Sequence, residues 1–198
     1  MQLNRRFYFC FTPPFSFKFC FKAFLDATEQ EIPRPHGKRK RKTHYSGKRK
    51  KHTVKTQLTV NKQGLIIHKS GHAKGSMHDY ALYKRSHLHL PRGVRLGLDL
   101  GYLGIKADYP KLNCDLPFKK KNLGRGKVGV KAEELSDEQK AYNKALAKKR
   151  VVVEHTNFRA KKFRIFGEEF GNRLRRYDLV TDIVCGLVNF RIAGKLSI

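Results

Sequence analysis

Phe15-Ser16-Phe17-Lys18-Phe19-Cys20-Phe21 runs directly into Ala23-Phe24-Leu25-Asp26-Ala27-Thr28-Glu29, and this stretch decides how the chain is read. A repeat of two is that of extended chain with one apolar face, so the run predicts a strand that carries Asp26 at or late in its course. Working outward, two more carboxylates stand in similar settings: Asp99 in Gly97-Leu98-Asp99-Leu100-Gly101-Tyr102, and Glu154 in Arg150-Val151-Val152-Val153-Glu154-His155. The chain holds 44 Lys and Arg against 16 Asp and Glu, a formal net charge of +28, so an acid placed among apolar residues needs a reason. Convergence of three carboxylates on divalent metal supplies one, and the positive surplus points to a polyanionic substrate.

The bulk numbers narrow the field. At 198 residues the chain suits one well-buried domain. A hydrophobic fraction of 39% with 14 Phe argues against wholesale disorder, and the charge argues against an ordinary metabolic enzyme. Nucleic acid is the first partner to consider and an anionic membrane surface the second. No apolar run approaches the length of a membrane-spanning helix, and Pro13, Pro14 and Lys18 interrupt a start that superficially resembles a signal peptide. Cys10, Cys20, Cys114 and Cys185 are scattered without a Cys-x-x-Cys pair, as expected of reduced thiols in the cytoplasm.

Along the chain, Pro33, Pro35, Gly37 and Gly47 punctuate the basic runs Lys38–Lys42 and Lys48–Lys51, which predicts an exposed basic loop. Val54, Thr56, Leu58 and Val60 then alternate on one face of a strand over His52–Asn61, and Leu65-Ile66-Ile67-His68 follows as its hairpin partner with Gly64 in the turn. Ser76 and Asp79 have capping-box spacing before a short helix to about Arg85. Val94–Asp99 reads as a strand ended by Gly101 and Gly104, and the stretch from Tyr109 to Lys131 as irregular apart from a short strand near Leu112–Phe118. Ser136 and Gln139 open a long helix to about Phe163. A last helix spans about Leu174–Ile192, with Tyr177, Val180, Val184, Leu187 and Val188 on one side and Gly194 beyond its end.

Two strand carboxylates and one helix carboxylate suit two Mg²⁺ or Mn²⁺ ions, hard cations that prefer oxygen ligands. Arg150 and Lys161, four residues before and seven after Glu154, return to its face of the helix. They could hold phosphate beside the metals, or merely neighbour one another on a solvated face. Asp79 reads as a helix cap rather than a fourth ligand, and His68, His72, His78, His87 and His89 lack zinc-ligand spacing with cysteine.

Asp26 to Glu29, Tyr45 to Lys55, Gly75 to Asp79, Asp99 to Gly104 and Arg150 to His155 occur in that order, and together they resemble insertion-sequence transposases of the DDE superfamily. The nearest group is the insertion sequence 5 and Harbinger-like endonuclease domain, and the likeness covers about Ala23 to Arg191. The resemblance implies an α/β, ribonuclease-H-like mixed sheet with flanking helices, in which Asp26, Asp99 and Glu154 form a catalytic, metal-binding triad for two Mg²⁺ or Mn²⁺ ions. It implies cleavage of a transposon end and joining of the 3′-hydroxyl to target DNA, by a cytoplasmic, nucleoid-associated bacterial protein able to form a homodimer. The Arg-x₃-Glu-x₆-Lys pattern is similar to a related transposase signature, although Ala147 stands where that signature has Tyr. Backbone contacts to double-stranded DNA fall to Lys38, Arg39, Lys40, Arg41, Lys42, Lys48, Arg49, Lys50 and Lys51, with Arg150 and Lys161. Residues 1–20 form an atypical Phe-rich segment and residues 21–194 the catalytic domain; only 25 residues precede Asp26, where relatives carry a helical DNA-recognition region. Two other readings explain the charge: a non-enzymatic basic nucleic-acid-binding protein, and an inactive remnant of a transposase.

Overall fold

The computed structural model describes residues 22–86, 88–91, 93–120 and 134–196; the phenylalanine run before Lys22 lies outside them. A seven-stranded sheet contains β1 (Lys22–Glu31), β2 (Tyr45–Ser46), β3 (Lys51–Asn61), β4 (Ile66–Lys69), β5 (Ala73–Lys74), β6 (Arg95–Gly97) and β7 (Cys114–Asp115). Central β1 pairs antiparallel with β3 from Ala23↔Asn61 to Glu31↔Thr53, and parallel with β6 from Lys22↔Arg95 to Phe24↔Gly97. β7 continues the parallel side, while β2, β5 and β4 pair in turn along the far edge of β3. Gly97 is required opposite Phe24, because a Cβ there would come within 2.6 Å of the ring.

Among the described residues six α-helices flank the sheet: α1 (Lys38–His44), α2 (Asp79–Ser86), α3 (Ile105–Asp108), α4 (Asp137–Lys161), α5 (Arg164–Gly167) and α6 (Tyr177–Leu196). The α/β mixed sheet with flanking helices is the architecture expected of a ribonuclease-H-like domain. On one face Phe24, Val54, Leu58, Val60 and Ile66 meet Val153 and Ala160 of α4 and Val184 and Val188 of α6. On the other, Ala23, Leu25, Leu96 and Leu98 meet Tyr83, Tyr102 and Ile105. The capping box forms as read: Ser136 Oγ accepts from Gln139 N at 3.2 Å, and Gln139 Oε1 accepts from Ser136 N at 3.3 Å. Val151-Val152-Val153 is helical despite its β propensity because Val153 is fully buried against the sheet, and packing outweighs intrinsic preference. Asn189 on α6, itself buried, accepts from Ile66 N at 2.7 Å and donates to Ile66 O at 2.9 Å.

Several expectations need correction. Asp26 lies in the middle of β1, not towards its end, since the strand continues to Glu31. Lys38–His44 is a helix rather than loop; it buries no residue. Its C-terminal end is tied down where Thr43 O accepts from Ser76 Oγ at 2.6 Å. α2 begins at Asp79, so Ser76 stands two residues ahead of the N-cap position. β3 keeps Val54, Leu58 and Val60 on the α4 and α6 side, but its opposite row, Thr53, Lys55, Gln57 and Thr59, is buried as well. Polar partners offset part of that burial: Thr53 Oγ1 donates to Glu29, and Gln57 Nε2 donates to Asp79 O and Tyr102 Oη, while Thr59 Oγ1 has no partner among the described residues. Gly194 falls inside α6, and Leu187 is exposed with Leu179, Ile183 and Phe190.

Candidate active site

Register sets the first two carboxylates. Phe24 pairs with Gly97 across the parallel strands β1 and β6, so Asp26, in mid-strand, and Asp99, just past the end of β6, each two residues further on, come level with one another. Asp26 stays in the strand, whereas Asp99 ends its own: Asp99 Oδ1 accepts from Gly101 N at 2.7 Å and caps the 3₁₀ turn Leu100–Tyr102.

α4 crosses this end of the sheet and presents Arg150, Glu154, Asn157 and Lys161 at intervals of four, three and four, the spacing of one helical face. Arg150 Nη2 lies 3.7 Å from Asp26 Oδ1 and 3.8 Å from Asp99 Oδ2, with its side chain only 13% exposed. Asn157 Nδ2 donates to Asp26 Oδ2 at 2.8 Å. Burial, and then the nearby Asp99 charge, push the Asp26 carboxyl up from 3.8 to about 6 against the opposing pull of Arg150.

Glu154 is exposed, and it lines with Asp26, Asn157 and Lys161 a cavity of about 560 Å³. The turn after β2 contributes Lys48 and Arg49 to the same wall. Burial lowers the Lys161 ammonium below its ordinary value, and Arg49 and Lys48 add to the effect. Deeper in the wall, Lys55 Nζ donates to Asp79 Oδ1 and to Met77 O at 2.8 Å each and lies 3.5 Å from Glu29 Oε1. Asp79 is therefore an ion-pair partner of Lys55 rather than a cap.

Of the residues singled out in the sequence, Asp26 and Asp99 are brought together, and Glu154 joins Asp26 as a wall of one cavity. Among the described residues no three Asp, Glu, His or Cys side chains gather closely enough to share an ion. The donors are nonetheless all carboxylate oxygens, the class that Mg²⁺ and Mn²⁺ take, and Arg150 already places a positive charge between two of them. The residues fit a divalent ion in chemistry and in charge. Lys38, Arg39, Lys40, Arg41 and Lys42 lie on α1, apart from the cavity wall. Lys50 sits in the turn with φ +57°, and Lys51 pairs with Glu31 at 2.6 Å. Sequence reading missed Asn157, although its place on the Arg150–Lys161 face was visible from spacing alone, and it missed the Glu29–Lys55–Asp79 cluster, whose residues fall in three separate segments.

Among the described residues no helix is long and apolar enough to cross a membrane. No solved structure matches the chain significantly. The chain is 37% identical over 171 residues to a protein from Microchaete diplosiphon described as a probable transposase for insertion sequence element IS702. That alignment takes in 86% of this chain and 57% of the relative, so the chain spans little more than half the relative's length. A family model for the DDE superfamily endonuclease matches residues 25–189, which contain all three carboxylates, and the chain belongs to that family.

Proposed function

We propose that this chain is the catalytic domain of a DNA transposase, cutting DNA strands at transposon ends and transferring them to target DNA with two divalent ions, Mg²⁺ or Mn²⁺. Asp26, Asp99 and Glu154 hold the ions, which when bound activate a water or 3′-hydroxyl and neutralise the leaving oxygen. The observation that carries this reading is the level placement of Asp26 and Asp99 across β1 and β6, with Glu154 in the cavity that Asp26 lines. Asn157 fixes one Asp26 oxygen through its amide and so orients the other. Lys48, Arg49 and Lys161 make the adjoining wall electropositive, which draws a DNA phosphate to the carboxylates. The exposed cations of α1, with Lys50, Lys51 and Arg150, extend the backbone contacts without reading sequence. A homodimer acting on paired ends in the bacterial cytoplasm, in association with the nucleoid, follows from the likeness to insertion-sequence transposases.

Mn²⁺-dependent nicking of supercoiled plasmid tests the assignment. Asp26→Asn, Asp99→Asn and Glu154→Gln should each abolish nicking while leaving duplex affinity equal or higher, since each removes a charge that repels phosphate. An Asp99→Asn protein that nicks at the parent rate would sink the triad.

A further inference from the structure

Arg150 has the helical spacing of a phosphate contact, yet its guanidinium lies between two carboxylates. The contact is an odd one. At 3.7 and 3.8 Å neither approach is a hydrogen bond. Arg150 Nε is buried with no partner among the described residues. A guanidinium committed to a carboxylate uses its planar fork, two N–H groups to two oxygens. This one supplies charge to a pair of acids that would otherwise repel one another, and its hydrogen-bonding capacity at Nε is unspent. A DNA phosphate entering the cavity beside Asp26 would offer it the bidentate partner that the carboxylates do not. A guanidinium and a divalent ion within about 4 Å of each other repel strongly where the surroundings are poorly polarisable, so the two compete for this position.

We propose that Arg150 is an exchangeable cation: without DNA it neutralises the Asp26–Asp99 pair, and a DNA phosphate entering the cavity beside Asp26 draws it away, so that ion loading follows DNA binding. The inference rests on the function proposed above and adds to it an order of events. By linkage, DNA and ion then raise each other's affinity, and Arg150 carries much of that coupling.

Calorimetric titration of Mn²⁺ into the intact chain, with and without a short duplex, tests it. The Arg150→Gln protein should bind Mn²⁺ without DNA about tenfold or more tightly than the parent, because a competing charge is gone. The gain on adding duplex should be large in the parent and small in the variant. Arg150→Met, which keeps the aliphatic stem packed, should behave as Arg150→Gln does and guards against a polar variant that misfolds. Combining either change with Asp26→Asn should remove the added affinity, locating it at this pair. Equal Mn²⁺ affinity in the parent and both Arg150 variants, with nicking by the parent intact, overturns the exchange and leaves the proposed function standing. Absence of Mn²⁺ binding in every protein, with duplex or without, overturns both.

Discussion

Replacing Asp26 by Asn should make the protein more stable while removing its activity. The Asp26 carboxyl titrates near 6 in the folded chain instead of 3.8, chiefly because of burial. Native protein therefore holds this proton more tightly than the unfolded chain does. As pH rises from about 4 to 6 the unfolded state ionises first, and native stability falls until the residue is charged in both states. A displacement from 3.8 to about 6 corresponds to a cost of about 3 kcal/mol at pH 7.5, about 1.6 at pH 5 and about 0.5 at pH 4. Asparagine has the same shape and never ionises. Its carbonyl oxygen can still accept from Asn157, and Arg150 keeps Asp99. The variant should thus gain about 2 to 3 kcal/mol at pH 7.5, with the gain shrinking as pH falls. Urea unfolding followed by circular dichroism, in buffers free of divalent ions, reads the difference; the chain has no Trp to follow by fluorescence. A variant no more stable than the parent at pH 7.5, or an advantage as large at pH 5 as at pH 7.5, would refute the idea that folding holds this acid under electrostatic strain.

Other outcomes are expected on the DNA side and in the core. Lys161→Ala and Arg49→Ala should each weaken duplex binding and reduce the salt slope by about one, whereas Lys144→Ala, on the exposed side of α4, should change neither. Anisotropy titrations at several salt concentrations decide this, and equal effects from all three would mean that only net charge matters. Gly75→Ala should cost about 1–3 kcal/mol in urea unfolding, because its Cβ would lie 2.0 Å from Thr53 Oγ1 and 2.7 Å from Thr53 O. Gly47→Ala, with nothing within 4 Å, should be neutral by the same measurement.

What could be read from the chain depended on whether the signal was local. Ser136 and Gln139 announce a helix start because both partners of the box lie three residues apart. Val54, Leu58 and Val60 announce a core-facing strand because alternation is a property of neighbours. α1 stayed hidden because its residues, Lys38-Arg39-Lys40-Arg41-Lys42-Thr43-His44, bury nothing and so carry no apolar period; a contact with Ser76, far along the chain, helps hold it. The start of α2 at Asp79 put Ser76 outside the capping role its spacing suggested. The burial of Thr53, Lys55, Gln57 and Thr59 could not be read from alternation, since the partners Glu29, Asp79 and Tyr102 come from other elements. At the site, spacing put Arg150, Glu154 and Lys161 on one face of α4, but helical geometry says nothing of what that face meets. The register of β1 against β6 decides that, and it put Arg150 between the two strand carboxylates.

The amide of Asn189 has a wider meaning than the two bonds it makes with Ile66. Among the described residues β4 pairs with β3 alone, so the outward N–H and C=O of Ile66 are what an incoming strand would bind. Asn189 answers both groups with one donor and one acceptor, as the backbone of a further strand would, but from a helix that offers nothing for a next strand to continue. At Ile66 the border is occupied, and a strand added there would have to displace the Asn189 amide. Any contact between copies at this border would then have to use the surface of α6 rather than a ladder of backbone bonds.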